Sequence, residues 1–239
     1  MSEKYDLIFS LGATPLTSEL LKKLDLQVQD FPFDLISGSD FLTKMSMFIN
    51  GCKDFMAQPN LKEIGENPVT KNKQYQDIKT NFIYANDFNP TLPIENTYPA
   101  VKTRYNKQIK NLYLYLKHSK KTLIVYIEDP THPEEDNDSL IMEATLKLRE
   151  IYPKSEINIL YAKNDSDSED MKVIKINKSS YKFIFKFYGQ FIEGLPKIVD
   201  ESMVSIIFED IELKQDWTRK KIFFIKKIIT FLDKIISKN

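Results

Sequence analysis

Apolar runs alternate with amphipathic stretches along most of this chain. Three of the runs are almost continuously apolar, which is typical of strands that are buried on both faces of a parallel sheet. They span residues 5–11, 122–127 and 157–162. Because the last two runs are separated by a predicted helix, they indicate a strand–helix–strand unit with a right-handed crossover.

Four stretches place apolar residues three or four positions apart, which predicts amphipathic helices. They cover residues 16–24, 41–49, 98–118 and 140–152. The predicted buried face of the second helix consists of Phe41, Leu42, Met45, Phe48 and Ile49. Strands that alternate with helices predict an α/β layered fold, in which helices flank a mostly parallel central sheet.

The middle of the chain is predicted to be irregular, with one exception. Residues 60–72 are polar and contain glycine and proline, so they predict a loop. Residues 86–100 contain three prolines and predict a surface crossing without regular structure. Residues 74–77 and 81–84 are the exception, because they predict the two strands of a short hairpin.

The last part of the chain is again regular, and residues 1–239 are predicted to form a single α/β domain. Residues 172–176 and 182–187 alternate apolar and polar side chains, which predicts antiparallel edge strands. Residues 217–237 predict an amphipathic helix whose polar side is rich in lysine. That helix either packs on its own domain or lies on an anionic membrane surface.

Composition narrows the classes of function. The 239 residues include 34 basic and 34 acidic side chains, so no general attraction to nucleic acid is predicted. No apolar run is long enough to cross a bilayer, and the N-terminal residues lack a signal-peptide pattern. The single cysteine excludes an internal disulfide and a cysteine-rich metal site. These features predict a cytoplasmic protein without a metal or other cofactor.

The turn after the first predicted strand has the position of a ligand site in α/β proteins. It reads SLGATP, where Gly12 permits the turn, Thr14 is the predicted N-cap and Pro15 is the first helical residue. GATPLT matches neither glycine-rich phosphate-binding motif, so no nucleotide is predicted. A hydroxyl nucleophile needs an adjacent base, and no histidine is near in sequence, so capping is the favoured role of Thr14.

A second candidate loop follows the predicted strand at residues 122–127. It contains Asp129, His132 and Glu134, whose side chains can bind a divalent metal or act as an acid and a base. The same residue types also suit a solvated acidic loop, and both interpretations remain open. A later acidic loop at residues 164–170 lacks the glycine and the closing glutamate of a calcium loop.

Five segments, in this order, resemble a bacterial family that is named after papain-like cysteine peptidases. They read YDLIFSLG, FPFDLI, FIYANDF, YPAVKTRYNKQIKNLYLYL and KTLIVYIED. The resemblance covers about residues 5–162. It implies a cysteine and a histidine as the reacting groups, and a cytoplasmic protein that accompanies surface-polysaccharide synthesis.

This chain departs from the family's motifs, which read SLGxxC, PFDW and HDF. The cysteine position is Pro15, the histidine position is Asn86, and Leu35 replaces the tryptophan. Asp34 and Asp87 are kept. A cysteine at a helix N-terminus would have a lowered pKa, but a proline cannot attack a substrate and an asparagine cannot act as a general base. The resemblance therefore implies that the family's reaction is lost.

The leading hypothesis is a catalytically degenerate family member that acts as a binding or accessory protein for an unknown small molecule, glycan or protein. Its pocket is predicted to be lined by Gly12, Thr14, Pro15, Phe33, Asp34, Asn86 and Asp87. One alternative is an active hydrolase or transferase that acts on sugars or acyl groups through Asp34, Asp87 and His132. Another is an interaction or membrane-surface protein that works through its basic C-terminal helix, residues 217–239.

Overall fold

The computed structural model describes most of the chain up to residue 214. The described residues are 3–27, 29–129, 134, 138–165, 171–178, 180–185, 188–192, 195–198 and 206–214. The predicted C-terminal helix at residues 217–237 lies outside them, as does His132. No helix in the described part of the chain combines the length and the hydropathy that a membrane span requires.

Strands and helices alternate as the apolar pattern predicts. The strands are β1 (Glu3–Tyr5), β2 (Leu7–Ser10), β3 (Ile36–Ser37), β4 (Leu61–Glu66), β5 (Lys73–Asp77), β6 (Ile83–Phe88), β7 (Lys121–Ile127), β8 (Glu156–Asn164), β9 (Lys172–Asn177), β10 (Ser180–Phe185), β11 (Tyr188–Ile192), β12 (Leu195–Ile198) and β13 (Ile211–Leu213). The helices are α1 (Leu16–Lys23), α2 (Phe41–Ile49), α3 (Ile94–His118) and α4 (Asp138–Ile151), with a 3₁₀ turn at Gln58–Asn60.

The central sheet contains five strands in the order β2-β7-β8-β10-β9. The first four are parallel, with Leu7 opposite Thr122 and Lys121 opposite Glu156. β9 is antiparallel to β10 and forms the edge. The predicted, mostly parallel sheet is therefore confirmed, and so is the antiparallel pair. β10 is nevertheless an inner strand rather than an edge strand, because its other side pairs with β8.

β7 and β8 each contribute side chains to two cores, one on either face of the central sheet. In β7, Ile124 and Tyr126 belong to one core, whereas Leu123 and Val125 belong to the other. Helices α2, α3 and α4 close the first core, and α1 closes the second. This burial on both faces explains why the parallel strands are continuous apolar runs in the sequence.

A second sheet, with the strand order β3-β6-β5-β4, is entirely antiparallel. The predicted hairpin is confirmed, since β5 and β6 pair with Tyr75 opposite Tyr84. The prediction of a loop at residues 60–72 is wrong, because β4 lies within it. β4 is an edge strand with mostly exposed side chains. It therefore lacks an apolar alternation that would predict it, and backbone pairing with β5 forms the strand.

The prediction of an irregular segment at residues 86–100 is also wrong. α3 begins at Ile94 and contains Pro99. A proline inside a helix removes one backbone hydrogen bond, but two tyrosines anchor this part of α3. Tyr98 donates its hydroxyl proton to a backbone carbonyl at 2.9 Å, and Tyr105 is fully buried. Tertiary packing thus overrides the local cost of the proline.

An aromatic cluster joins the second sheet to the rest of the molecule. The ring of Phe55 lies 5.6 Å from that of Phe33, 5.8 Å from that of Phe82 and 5.4 Å from that of Tyr105. These rings belong to the loop before β3, the turn before β6, and α3. Close aromatic packing therefore holds the second sheet against α3 and the loop before β3.

Candidate functional site

The SLGATP turn lies at the carboxyl end of β2. Pairing with β7 continues beyond the strand, since the amide of Ala13 donates to the carbonyl of Ile127 at 3.0 Å. Gly12 is required here by close approach, because a Cβ atom would lie 1.9 Å from the hydroxyl oxygen of Thr17. The turn therefore brings the start of α1 directly against the end of the strand.

The helix after the turn begins one residue later than predicted. Leu16 is its first residue, and Pro15 is the N-cap, which makes no side-chain capping hydrogen bond. The prediction that Thr14 caps the helix is wrong. Its hydroxyl oxygen is buried and has no hydrogen-bond partner among the described residues.

Lys44 lies beneath this turn and is the main residue that the sequence analysis missed. Lys44 is fully buried, whereas Leu42, which was predicted to be buried, is 50% exposed. The Lys44 amine donates to the carbonyl of Gly12 at 2.5 Å. The helical spacing contained a signal for this position, since Lys44 is three residues after Phe41 and four before Phe48, both of which are buried.

The Lys44 amine is surrounded by carboxylates. Burial lowers the pKa of Lys44 to about 7, and three neighbouring negative charges oppose this shift. They belong to Glu134, Asp129 and Asp40. Burial therefore shifts the Lys44 amine toward its neutral form, unlike the amine of an exposed lysine.

Glu134 connects three elements through hydrogen bonds. Its carboxylate accepts from the amide of Phe41 at 3.2 Å and from the hydroxyl of Tyr126. Its own amide donates to the carboxylate of Glu128 at 2.5 Å, and burial raises the pKa of both glutamates. Glu134 thus holds the start of α2 against β7, so its interactions are in large part structural.

A pocket of about 330 Å³ lies between the carboxyl edge of the central sheet and the second sheet. Its walls are formed by Ala13, Gly38, Ser39, Asp40, Gln76, Asn81, Ile83, Asp129 and Glu134. Ala13 and Asp129 each follow a parallel strand, which is where α/β proteins bind ligands. Carboxylates, carboxamides and one hydroxyl make this pocket suitable for a small ligand that forms hydrogen bonds. Within the described part of the chain, no three His, Cys, Asp or Glu side chains are arranged to hold a metal ion.

The FPFD loop supports the turn from the core. The carboxylate of Asp34 accepts from the amide of Phe31 at 2.8 Å and from the side chain of Gln27 at 2.5 Å, and burial raises the pKa of Asp34 to about 7. Ser18 in α1 donates to the carbonyl of Asp34 at 3.1 Å. Phe33 and Asp34 are fully buried, so the structure places both in the core and not, as predicted, in a pocket wall.

Asn86 and Asp87 lie on the second sheet. The side-chain oxygen of Asn86 accepts from Asn67 and from Thr70, both at 3.0 Å, and the residue is exposed. Asp87 accepts from the hydroxyl of Tyr105 at 2.8 Å and pairs with an arginine of α3. Asn86 is therefore hydrogen-bonded to the turn before β5, and Asp87 is bonded to α3.

Ile83, the first residue of β6, lines the pocket. Asn86 follows three residues later, which corresponds to about 10 Å along a strand. The structure therefore brings the SLGATP turn and the FPFD loop together, while Asn86 and Asp87 belong to a separate set of contacts.

Cys52 is the single cysteine of the chain. It is buried, and its sulfur lies 3.5 Å from the hydroxyl oxygen of Tyr113. Burial raises the pKa of the Cys52 thiol to about 12. A thiol in this environment stays protonated at neutral pH, and only the thiolate is a strong nucleophile.

The fold and the site define an α/β protein with a polar pocket at the carboxyl edge of a parallel sheet. The chain belongs to the family described as "Putative papain-like cysteine peptidase (DUF1796)", whose sequence profile matches residues 6–165. The resemblance inferred from the motifs is therefore confirmed over nearly the same range. No curated protein and no solved structure matches the chain.

Proposed function

We propose that this chain is a member of its family that has lost the cysteine-peptidase reaction and acts as a binding or accessory protein. One observation carries the proposal. The family's cysteine position is Pro15, and the only cysteine, Cys52, is buried with a thiol pKa of about 12. Proline has no side-chain heteroatom that could attack a substrate, and Cys52 has no accessible thiolate that could replace it.

The histidine position supports the same conclusion. Asn86 carries an amide, which cannot accept a proton at neutral pH and so cannot act as a general base. Its hydrogen bonds to Asn67 and Thr70 give it a role in the turn before β5. Both partners of a cysteine–histidine pair are therefore replaced.

The pocket at the carboxyl edge is the proposed binding site. Gln76, Asn81 and Asp129 supply the donors and acceptors that recognise hydroxyl groups. The family resemblance implies a connection with surface-polysaccharide synthesis, so a sugar is the first ligand class to test. The expected location is the cytoplasm.

Loss of the reaction is tested with hydrolysis assays on peptide and acyl-ester substrates. We expect no turnover by the natural chain and no change in the Cys52→Ala variant. Pro15→Cys combined with Asn86→His tests whether the original residues suffice to restore activity. Hydrolysis by the natural chain that is abolished by alkylation of Cys52 would overturn the proposal.

Binding is tested by calorimetric titration with neutral sugars and amino sugars. We expect Asn81→Ala and Asp129→Ala to weaken any binding at least tenfold, since a lost hydrogen bond to a ligand typically has this effect. Asn106→Ala is the matched control, because Asn106 is exposed on α3, away from the pocket. An equal loss in the control would show that the pocket is not the site.

The geometry of the candidate residues gives little support to the alternative of an active hydrolase or transferase. Asp34 and Asp87 both accept hydrogen bonds from neighbouring side chains in largely buried positions. The hydroxyl of Thr14 has no base within hydrogen-bond distance among the described residues. The role assigned to His132 lies outside those residues, so this alternative stays a prediction.

A further inference from the structure

A groove lies at the amino edge of the central sheet, opposite the edge that holds the pocket. Helices α3 and α4 end there, each just before the start of a parallel strand. The groove has a volume of about 670 Å³, within the range of ligand sites. We call it the basic groove, with a floor of Leu116, Ile151 and Tyr152 and a rim of Lys117, Lys120 and Lys154.

The floor of the basic groove is apolar and accessible. Leu116 is buried at the bottom, Tyr152 is half-buried, and Ile151 is 43% exposed at one side. Ile151 lines this groove together with Leu116 and Tyr152, so the three side chains form one small apolar surface. The floor can therefore accept an apolar side chain from a partner.

The rim of the basic groove carries uncompensated positive charge. Lys117, Lys120 and Lys154 are exposed, and none of their amines forms an ion pair with a described residue. Two carboxylates lie nearby: Asp6 accepts from the backbone amide of Lys120 at 2.9 Å and pairs with Lys214, and Glu156 is 3.5 Å from the amine of Lys121. The charge of the rim is thus available to an external ligand.

The positive charge continues along α3. This helix contains Lys102, Arg104, Lys107, Lys110 and Lys117 but only one acidic residue, Glu95. Because Arg104 pairs with Asp87 and Lys102 donates to the carbonyl of Phe55, the positive charge beyond these pairs lies at Lys107, Lys110 and Lys117. The chain as a whole is balanced at 34 basic and 34 acidic residues, so the excess is local. Cations in the last turn of a helix stabilise its dipole, which accounts for Lys117 but not for Lys107 and Lys110 in the middle of α3.

We propose that the basic groove and the adjoining face of α3 bind an acidic segment of a partner protein. Carboxylates of that segment pair with Lys117, Lys120 and Lys154, and an apolar side chain enters the floor. The concave shape favours a peptide over a flat bilayer, which cannot fill a groove between two helix ends. Stacking of single-stranded bases would need an open aromatic face, but the ring of Tyr113 is stacked on Phe48 at 5.8 Å.

Fluorescence anisotropy with a labelled peptide of glutamate, leucine and tryptophan tests the proposal. We expect the acidic peptide to bind, and the same peptide with glutamine in place of glutamate to bind at least tenfold more weakly. Affinity for the acidic peptide should fall as salt rises. Equal binding of both peptides would overturn the proposal.

Two pairs of variants locate the site. Lys117→Glu with Lys120→Glu should weaken binding at least tenfold, whereas Lys62→Glu with Lys79→Glu on the second sheet should leave it unchanged. Ile151→Ser tests the floor, with Ile78→Ser as its control, since Ile78 is 59% exposed on the second sheet. These positions are all exposed, so the variants should stay folded, with a small decrease in melting temperature for Lys117→Glu, which places a negative charge in the last turn of α3. Equal losses in both pairs would mean non-specific charge attraction and would contradict the proposal.

Two further probes separate other partners. Vesicles of anionic phospholipid and a labelled single-stranded oligonucleotide are titrated under the same conditions. We expect both to bind more weakly than the acidic peptide and neither to respond to Ile151→Ser. Tighter binding of either probe, lost in the Lys117→Glu and Lys120→Glu variant, would replace the peptide as the partner of this groove.

Discussion

The two edges of the central sheet use the same residue type in opposite ways. At the carboxyl edge, Lys44 is fully buried and donates to the carbonyl of Gly12. At the amino edge, Lys117 and Lys120 are exposed and have no ion-pair partner among the described residues. A lysine that is taken out of water depends on its partners for its stability, whereas an exposed lysine keeps its hydration and can exchange it for an external ligand. The lysine at the carboxyl edge therefore contributes to the stability of the fold, whereas the lysines at the amino edge leave positive charge exposed on the surface.

Two tyrosines at the two edges of the sheet also differ in the burial of their side chains. Tyr126 at the carboxyl edge donates to Glu134, which in turn accepts from the start of α2. Tyr152 at the amino edge is half-buried beside the basic groove. Hydrogen bonds to a buried carboxylate stabilise a fold more than those exposed to water, so equivalent substitutions at the two edges should have different effects.

The largest difference is expected for Lys44→Ala. The substitution removes a fully buried side chain and leaves the carbonyl of Gly12 without its hydrogen bond, so we expect the free energy of unfolding to fall by about 2–5 kcal/mol. Lys117→Ala at the amino edge should change it by less than about 0.5 kcal/mol. Urea denaturation of both variants measures the difference. Similar values for the two would show that the buried position of Lys44 is unimportant for stability.

A smaller difference is expected for Tyr126→Phe. Removal of a hydroxyl that donates to a carboxylate should lower the free energy of unfolding by about 1.5–3 kcal/mol. Tyr152→Phe is the matched control, and its effect should be close to zero. Thermal denaturation followed by circular dichroism compares the two, and equal shifts in melting temperature would contradict the comparison.

The pH dependence of stability should also reflect the buried groups near the carboxyl edge. Between pH 3.8 and about 7, folded Asp34 holds a proton that the unfolded chain has released, so stability falls as pH rises. Between about pH 7 and 10.5, the unfolded chain keeps a proton that folded Lys44 has released, so stability rises with pH. Each slope is at most about 1.4 kcal/mol per pH unit for one group.

Substitutions test whether Asp34 causes the acid slope and Lys44 the alkaline slope of this pH profile of stability. Asp34→Asn should reduce the acid slope, and Lys44→Met should reduce the alkaline slope, in urea denaturation repeated across the pH range. Lys120→Ala at the amino edge should leave both slopes unchanged. A profile that is flat in the natural chain, or that responds equally to all three variants, would rule out this assignment.

Local patterns predicted the elements whose side chains are buried on a regular face. Continuous apolar runs predicted β7 and β8, and helical spacing predicted most of α3 and α4. The same patterns missed β4, whose exposed side chains carry no alternation, and the first turn of α3 at residues 94–97, which lies between Pro93 and Pro99. Both depend on contacts with residues distant in sequence, which a local window does not contain.

The sequence by itself determined the class of this fold and predicted the replacement of its family's reacting pair. The order of apolar runs specifies the parallel sheet, and the identities of Pro15 and Asn86 exclude a cysteine and a histidine at those positions. Only the tertiary structure decided which charges are buried and which are exposed. Lys44 and Lys117 are the same residue type, but different elements pack around them. Their environments therefore differ, because the pKa and the hydration of a lysine depend on burial and on neighbouring charges.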